Sequence, residues 1–322
     1  MKEEEEENNN IIFMGTPQFA AETLKKLHEN GKSIVAVVCP PDKPSGRGQK
    51  LKTCAVKNYA LKEKLKILQP EKLKNKEFLN ELKKLRPQLI VVVAFRMLPK
   101  EVWSIPKKGT FNVHASLLPE YRGAAPIHWA IINGESQTGV TSFLIDENID
   151  TGAILLSKKC MIGENETMGE LHDKLMHLAA KIAIDTCKAL LIGELKPKNQ
   201  IEKTKLKKAP KLFKENCRID WTRSSINIYN KIRGLSPFPG AWTNFETKDL
   251  ENNLIVKIFE ASYELYSHNR IIAEIEISKK QLKVFTSDGC VNLKYIQTQG
   301  KKIMDIQSFL NGLSSKSFNK AY

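Results

Sequence analysis

The sequence predicts an α/β chain in two parts: a Rossmann-like, mostly parallel sheet with helices on both faces, then an OB-like β-barrel. Three observations point there. From residue 11 to about residue 195, apolar strand-like runs alternate with amphipathic stretches. The run "LIVVVAF", Leu89 to Phe95, is apolar throughout, as a strand covered on both faces requires. After Ile219 that rhythm gives way to short alternating segments between polar turns, the pattern of a small antiparallel barrel.

Each element has its own reason. "MKEEEEENNN", residues 1–10, reads as a disordered acidic tail, and it lacks the basic and apolar regions of a secretory leader. "IIFMG" is the first buried strand. "TPQFAAETLKKLHENG" is a helix, with Thr16 suited to the N-cap, Pro17 to the first helical position and Gly31 to the stop. "SIVAVVC" is the second strand. The proline- and glycine-rich "PPDKPSGRGQKLK", residues 40–52, is a long basic loop, and a loop of that length is disordered or functional. "AVKNYALKEKL" reads as a helix, "KILQP" as a short strand and "NKEFLNELKKLRP" as a helix. The strands "QLIVVVAF" and "GTFNVHAS" follow, then the helix "AAPIHWAIINGE" and the strand "TGVTSFLID". "MGELHDKLMHLAAKIAIDTCKALLIGEL" is a long amphipathic helix.

Residues 196–218 break the pattern: nine Lys or Arg stand against two Glu, with two prolines and no apolar period. A basic linker fits that composition. Beyond it come the helix "SSINIYNKIRGL", turn chemistry at "SPFPGAW", and the short strands "LIVKIFEAS", "RIIAEIEIS", "QLKVFTS" and "GCVNLKYIQTQG". The helix "IMDIQSFLNG" closes the chain. The expected boundaries are a tail at 1–10, a first domain at 11–195, the linker at 196–215 and the barrel at 216–318.

Composition narrows the function. A net charge of +15 favours an anionic partner, and the linker carries nearly half of it. Flexibility and charge together suit the 40–52 loop to gripping a nucleic-acid backbone, with Arg47, between two glycines, as its leading residue. None of the six cysteines forms a C-x-x-C, which argues against a zinc or disulfide framework and for a reduced compartment, cytoplasm or organelle matrix. No apolar run approaches the roughly 20 residues a bilayer crossing needs, so no membrane partner is expected. "FMGTPQFA" lacks both G-x-G-x-x-G and the P-loop pattern, which disfavours a dinucleotide or nucleoside-triphosphate site.

The chemistry concentrates in "GTFNVHASLLPEYRG", residues 109–123. Strand alternation puts Asn112 and His114 on one face, and open α/β sheets offer ligands the carboxyl ends of their strands. An amide donates to an oxygen gaining negative charge, and an imidazole moves protons near neutral pH. The pair suits direct attack on a carbonyl, since no G-x-S-x-G elbow or reactive cysteine motif is present. Asp146 and Asp150, in "LIDENIDTGAIL", are candidates for a third group. The Thr-Gly after Asp150 makes a tight turn able to aim that carboxylate inward.

At this point the residues carry a resemblance. "FNVHASLLPEYRGAAPIHWAIINGE" followed by "TGVTSFLIDENIDTGAIL" resembles the folate-dependent formyltransferase superfamily: an Asn-x-His strand end, Ser-Leu-Leu-Pro, Tyr-Arg-Gly and a later Asp-Thr-Gly. Within it the chain is similar to the branch acting on methionyl-tRNA, on the strength of "IIFMGTPQFA", the 40–52 loop, the basic linker and "IDWTRSSINIYNKIRGLSPFPGAW". The resemblance implies transfer of the formyl group of 10-formyltetrahydrofolate to the α-amino group of initiator methionyl-tRNA. It implies Asn112, His114 and Asp150 as catalytic residues, with Asn112 and His114 on the oxyanion, His114 as proton shuttle and Asp150 tuning it. It implies a folate pocket lined by Ser116, Leu117, Leu118 and Pro119, and a tRNA grip that includes Arg47, Lys43 and Lys50 of the loop and Lys205, Lys207 and Lys208 of the linker. No metal and no covalent intermediate are expected, and a monomer is the expected state.

One departure stands out. After "VVVA" the family often has Tyr-Gly, whereas this chain has Phe95-Arg96 and one residue fewer before Leu-Pro-Lys, where the pterin is expected to border. A local shortening without consequence is the expectation. The alternative function is a formyltransferase acting on a small amine, such as an amino-sugar nucleotide or glycinamide ribonucleotide. That reading needs neither the basic loop nor a basic barrel. A non-catalytic RNA-binding protein on a reused fold gives no reason for the three site residues to coexist.

Overall fold

The computed structural model describes residues 9–45, 50–201, 205–247, 253–313 and 318–322. The expectations for the acidic tail at residues 1–8 and for Arg47 lie outside the described residues.

The chain divides into two compact units that interleave in sequence. The first takes residues up to 123, then 137–161 and 172–208; the second takes 124–136, 162–171 and 209–322. Two short segments, 124–136 and 162–171, are threaded into the C-terminal unit from within the N-terminal sequence.

In the first unit the strands are β1 (Ile11–Gly15), β2 (Ile34–Val38), β3 (Lys43–Ser45), β4 (Lys50–Lys52), β5 (Ile67–Leu68), β6 (Leu89–Val93), β7 (Thr110–His114), β8 (Arg122–Gly123), β9 (Gln137–Leu144) and β10 (Ile154–Met161). Its helices are α1 (Gln18–Glu29), α2 (Ala55–Lys62), α3 (Lys76–Lys84) and α4 (Lys100–Trp103). The main sheet runs β10-β9-β7-β6-β1-β2-β5. From β5 to β7 every pairing is parallel; β9 and β10 add antiparallel strands at one edge. β1 and β6 are buried along their whole length, as two covered faces demand. Ile12, Met14, Ile90 and Val92 pack with Phe78 and Leu82 of α3 and Val102 of α4, while the opposite alternation, Ile11, Phe13 and Val91, is equally buried. The 40–52 segment, expected as a loop, is paired at its flanks: Lys43 lies opposite Lys52 and Pro44 opposite Leu51. Pro17, rather than Thr16, caps α1, and its carbonyl accepts from Ala20 and Ala21. Gly31 ends the helix at φ +68°, where a side chain would be strained.

α5 (Pro126–Ile132) belongs to the second unit, α6 (Met168–Leu191) begins there and continues into the first, and β11 (Lys208–Ala209) straddles the division. The remaining elements are α7 (Ser225–Gly234), β12 (Ala241–Thr247), β13 (Leu254–Leu265), β14 (Ile275–Ile277), β15 (Leu282–Phe285), β16 (Gly289–Thr298), β17 (Met304–Asp305), α8 (Ile306–Asn311) and β18 (Phe318–Ala321). Their antiparallel sheet runs β14-β15-β16-β13-β12-β18, with β17 on β16. The Ala321 amide donates to the Ala273 carbonyl at 2.9 Å and Glu274 bridges Lys320, so the two edges meet and the barrel is nearly closed. Register shifts around Glu260 let β13 bend. Ile228 and Ile232 of α7 and Phe309 of α8 complete the core with Phe245, Ile258 and Leu293. α7 has no cap from Ser224; instead Asp288 accepts from the Ser225 amide at 2.8 Å, a partner 63 residues away. β18 begins at the expected barrel boundary, 318, and runs to Ala321.

Candidate active site

β7 lies inside the sheet, parallel to β6 and antiparallel to β9, with Asn112 opposite Phe143 and His114 opposite Thr141. Its carboxyl end therefore delivers Asn112 and His114 to one edge of the sheet, where the strand order turns from β2 and β5 on one side of β1 to β6 and β7 on the other.

His114 is buried, 7 % exposed. Its Nε2 lies 2.9 Å from the Tyr121 carbonyl. A carbonyl only accepts, so Nε2 carries hydrogen and the neutral ring keeps its lone pair at Nδ1. Nδ1 faces Asp150, with Oδ2 at 3.7 Å. That spacing is too long for a hydrogen bond, and it leaves the carboxylate as the neighbour of the Nδ1 lone pair. Protonation of Nδ1 would thus create an imidazolium directly against a carboxylate. Asp150 in turn accepts from the Gly123 amide at 2.9 Å.

The backbone supporting these groups is held in uncommon conformations. Asp150 sits at φ +55° and Tyr121 at φ +61°, and Gly123 at φ +126° is in a region that L side chains rarely adopt. This explains the Tyr-Arg-Gly stretch: its first carbonyl orients the imidazole, and its glycine presents the amide that fixes the carboxylate. Left-handed backbone at non-glycine residues costs on the order of 1–3 kcal/mol each and persists where surrounding contacts enforce it.

Those contacts come from a residue the sequence reading missed. Gln200, in the basic linker, donates from Nε2 to the carbonyls of Asp150 (2.9 Å) and Gly152 (2.8 Å). Its Oε1 accepts from Arg122 Nε (3.1 Å) and Nη2 (2.7 Å). One amide thereby ties the Asp150 turn to the Tyr-Arg-Gly turn. The linker is anchored there: Lys198 pairs in both directions with Ile154, and the Lys207 carbonyl accepts from the Tyr121 amide at 2.6 Å. The only prior signal was a glutamine inside a run otherwise dominated by lysine.

Asn112 is half-buried, and its Oδ1 is enclosed without a hydrogen-bond partner. A buried polar atom left unpaired costs about 1–3 kcal/mol, so the atom marks a place built for something else.

The Ser-Leu-Leu-Pro segment is fastened to β9. Thr141 Oγ1 donates to the Ser116 carbonyl at 2.7 Å and accepts from the Leu118 amide at 3.2 Å. Ser116 is 0 % exposed and its hydroxyl donates to the Glu120 carbonyl at 2.7 Å. Leu118 is buried, whereas Leu117 and Pro119 are half-buried. Leu117 lies over Gly139, where an added Cβ would stand 2.5 Å from its Cδ2.

Arg96 is taken up by the chain just after β5. Its Nη1 donates to the Glu71 carbonyl at 2.8 Å and its Nη2 to that of Pro70, and the guanidinium stacks 5.6 Å from the Phe95 ring. Asp146 is also occupied elsewhere, accepting from Thr151 Oγ1 and the Asn148 amide. Among the predicted tRNA residues, Lys43, Lys205, Lys207 and Lys208 are exposed; Lys50 lies on β4 opposite Ser45. No group of three metal-binding side chains occurs among the described residues, and no helix there is long and apolar enough to cross a membrane.

Residues 9–187 match the formyl transferase family and residues 211–314 match the formyl transferase C-terminal domain. The methionyl-tRNA formyltransferase of Flavobacterium psychrophilum is 48 % identical over 309 residues, covering 96 % of this chain and 97 % of the relative. That of Flavobacterium johnsoniae is 49 % identical over 312 residues, covering 97 % and 98 %. Among solved structures, the sugar 3N-formyl transferase WlaRD, with dTDP and 5-N-formyl-THF, aligns with a TM-score of 0.63 at 20 % identity, covering 91 % of this chain and 98 % of that one. HypX from Aquifex aeolicus in complex with tetrahydrofolic acid aligns with a TM-score of 0.62 at 18 % identity, covering 96 % and 50 %. These two likenesses establish the fold.

Proposed function

The chain belongs to the formyl transferase family, and on that premise we propose that Asn112, His114 and Asp150 carry formyl transfer from a folate donor to methionyl-tRNA. The acceptor follows from the curated relatives, which match nearly end to end and bear that activity in their names. The enzyme is a methionyl-tRNA formyltransferase and serves translation initiation. The donor is a folate-derived formyl carrier, and 10-formyltetrahydrofolate is our specific assignment. The observation that carries the catalytic reading is the meeting of His114 Nδ1 with Asp150 at 3.7 Å, on a strand that also carries Asn112, whose amide oxygen is buried without a partner.

In this mechanism the free α-amine attacks the formyl carbon. Electron density moves to the formyl oxygen, and the Asn112 amide N–H stabilises that oxyanion. His114 Nδ1 takes the proton that the nitrogen sheds and returns it to the folate nitrogen as the tetrahedral intermediate collapses. Asp150 holds the transient imidazolium. The Tyr121 carbonyl keeps the ring from rotating, so the proton has one position rather than two. Leu117 and Pro119, half-buried, suit a flat and mostly apolar donor, while Ser116 and Leu118 fix the turn from behind. Lys43, Lys50, Lys205, Lys207 and Lys208, together with Arg47, are assigned to the tRNA backbone.

Incubation with charged initiator tRNA and 10-formyltetrahydrofolate, followed by release of the amino acid, is expected to yield N-formylmethionine. Recovery of unmodified methionine with intact donor present would refute the assignment. Gln200→Ala is expected to lower kcat roughly 10- to 100-fold with little change in the KM for either substrate, since it loosens the Asp150 turn without touching a ligand. Gln200→Glu is expected to do no better, because a carboxylate cannot donate to the Asp150 and Gly152 carbonyls. A change confined to KM would remove Gln200 from this role.

A further inference from the structure

We infer that Glu120 is a positioning residue for formyl transfer: its carboxylate pins the linker backbone at Lys207 against the Tyr121 turn, and that turn sets the His114 imidazole. The inference rests on the catalytic reading of His114 given above. Glu120 leaves the Ser-Leu-Leu-Pro turn from a fixed place, since its amide donates to the Leu117 carbonyl at 3.1 Å and its carbonyl accepts from the Ser116 hydroxyl at 2.7 Å. From there Oε2 accepts from the Lys207 amide at 2.9 Å. The Lys207 carbonyl accepts from the Tyr121 amide at 2.6 Å, and the Tyr121 carbonyl accepts from His114 Nε2 at 2.9 Å. Both backbone groups of Lys207 are thereby spent on two consecutive residues, Glu120 and Tyr121. A carboxylate that merely faced solvent would need no such fixed partner 87 residues away.

The arrangement meets a specific need. Tyr121 stands at φ +61°, where an L side chain is strained, so its carbonyl stays on the imidazole only while its neighbours hold it there. Its buried side chain supplies one restraint and the Lys207 carbonyl another. A single hydrogen bond lets the linker swing about it. The second bond, at the Lys207 amide, fixes the linker's direction as well as its distance. A carboxylate suits that bond, because an ionised acceptor holds an N–H more strongly than a neutral one. Glu120 is thus the counterpart of Gln200. Gln200 holds the turn that aims Asp150 at Nδ1, and Glu120 holds the turn that occupies Nε2. Lys207, whose side chain is assigned above to the tRNA, serves here through its backbone.

The test compares the full chain with Glu120→Ala and Glu120→Gln; the glutamine keeps an acceptor oxygen and removes the charge. At saturating methionyl-tRNA and 10-formyltetrahydrofolate, Glu120→Ala is expected to lower kcat roughly 10- to 100-fold, the cost of a loosened catalytic group, with the KM for the donor unchanged. Glu120→Gln is expected to keep most of the parent rate. All three chains are expected to unfold near one temperature, because the Glu120 side chain is only half-buried. A second readout needs no turnover. With isotope-labelled histidine, the nitrogen NMR signals of the His114 ring are assigned by their absence in His114→Gln and followed at a pH where the ring is neutral. Hydrogen fixed on Nε2 is expected in the parent and in Glu120→Gln, and exchange between the two tautomers in Glu120→Ala. A fixed tautomer or a parental kcat in Glu120→Ala, a loss confined to the KM for methionyl-tRNA, or a Glu120→Gln chain as slow as Glu120→Ala would overturn the proposal. The tautomer is read without substrates, so an unmoved tautomer in an active enzyme removes the positioning role and leaves the proposed activity untouched.

Discussion

His114→Ala is expected to slow formyl transfer roughly 10²- to 10⁴-fold, the contribution of a positioned acid–base group, while methionyl-tRNA and donor still bind. The reason lies in the ring's two fixed edges. Nε2 is committed to the Tyr121 carbonyl, and Nδ1 is the one position left to carry a proton, with Asp150 facing it. His114→Gln separates chemistry from architecture: its amide can still donate toward Tyr121, but it carries no proton near neutral pH. The Gln variant is expected to unfold near the parent temperature and to be as slow as the Ala variant. Single-turnover rates and thermal unfolding on the three chains check this. Recovery of rate in the Gln variant would make His114 a structural residue.

Asn112→Ala is expected to lower kcat roughly 10²- to 10³-fold, the cost of one oxyanion donor. The same change is expected to leave stability unchanged or to raise it, because the parent encloses an amide oxygen with no partner, a burden of about 1–3 kcal/mol. Loss of activity with gain of stability is the mark of a group kept for function rather than fold. Asn112→Asp, nearly isosteric, puts a carboxylate where the oxyanion forms, so it is expected to be no faster than Ala. A denaturation midpoint well below the parent's in Asn112→Ala would show that the amide holds the structure together instead.

The contrast between what was legible and what was not follows contact range. Asn112 and His114 could be paired from the two-residue period of a strand, and the polar strand end from the logic of open α/β sheets. Asp150 could be nominated because a Thr-Gly turn follows it, but its meeting with His114 depends on the antiparallel return of β9 against β7. Asp146, the other candidate in that loop, is spent on Thr151 and Asn148. Gln200 was invisible: its partners stand 78, 50 and 48 residues away, and its surroundings read as solvated lysine. Arg96 departs from the family pattern in sequence, yet the carbonyls of Pro70 and Glu71 absorb its guanidinium. In the barrel, β12 was not read as a strand: its alternation, with Ala241, Thr243 and Phe245 all fully buried, follows directly on the proline turn that dominated the reading there. β18 is too short to announce itself and exists because β12 offers it an edge.

Acceptor choice separates this enzyme from the sugar formyltransferases that share its fold, since its near full-length relatives are methionyl-tRNA formyltransferases. It is tested most directly by competition. One limiting portion of 10-formyltetrahydrofolate is offered to the enzyme with equal concentrations of methionyl-tRNA and dTDP-3-aminofucose, and the amine that carries the formyl group is identified by mass. Formyl on methionyl-tRNA, with the sugar nucleotide unmodified, is the expected result; formyl on the sugar, with the tRNA unmodified, would contradict it.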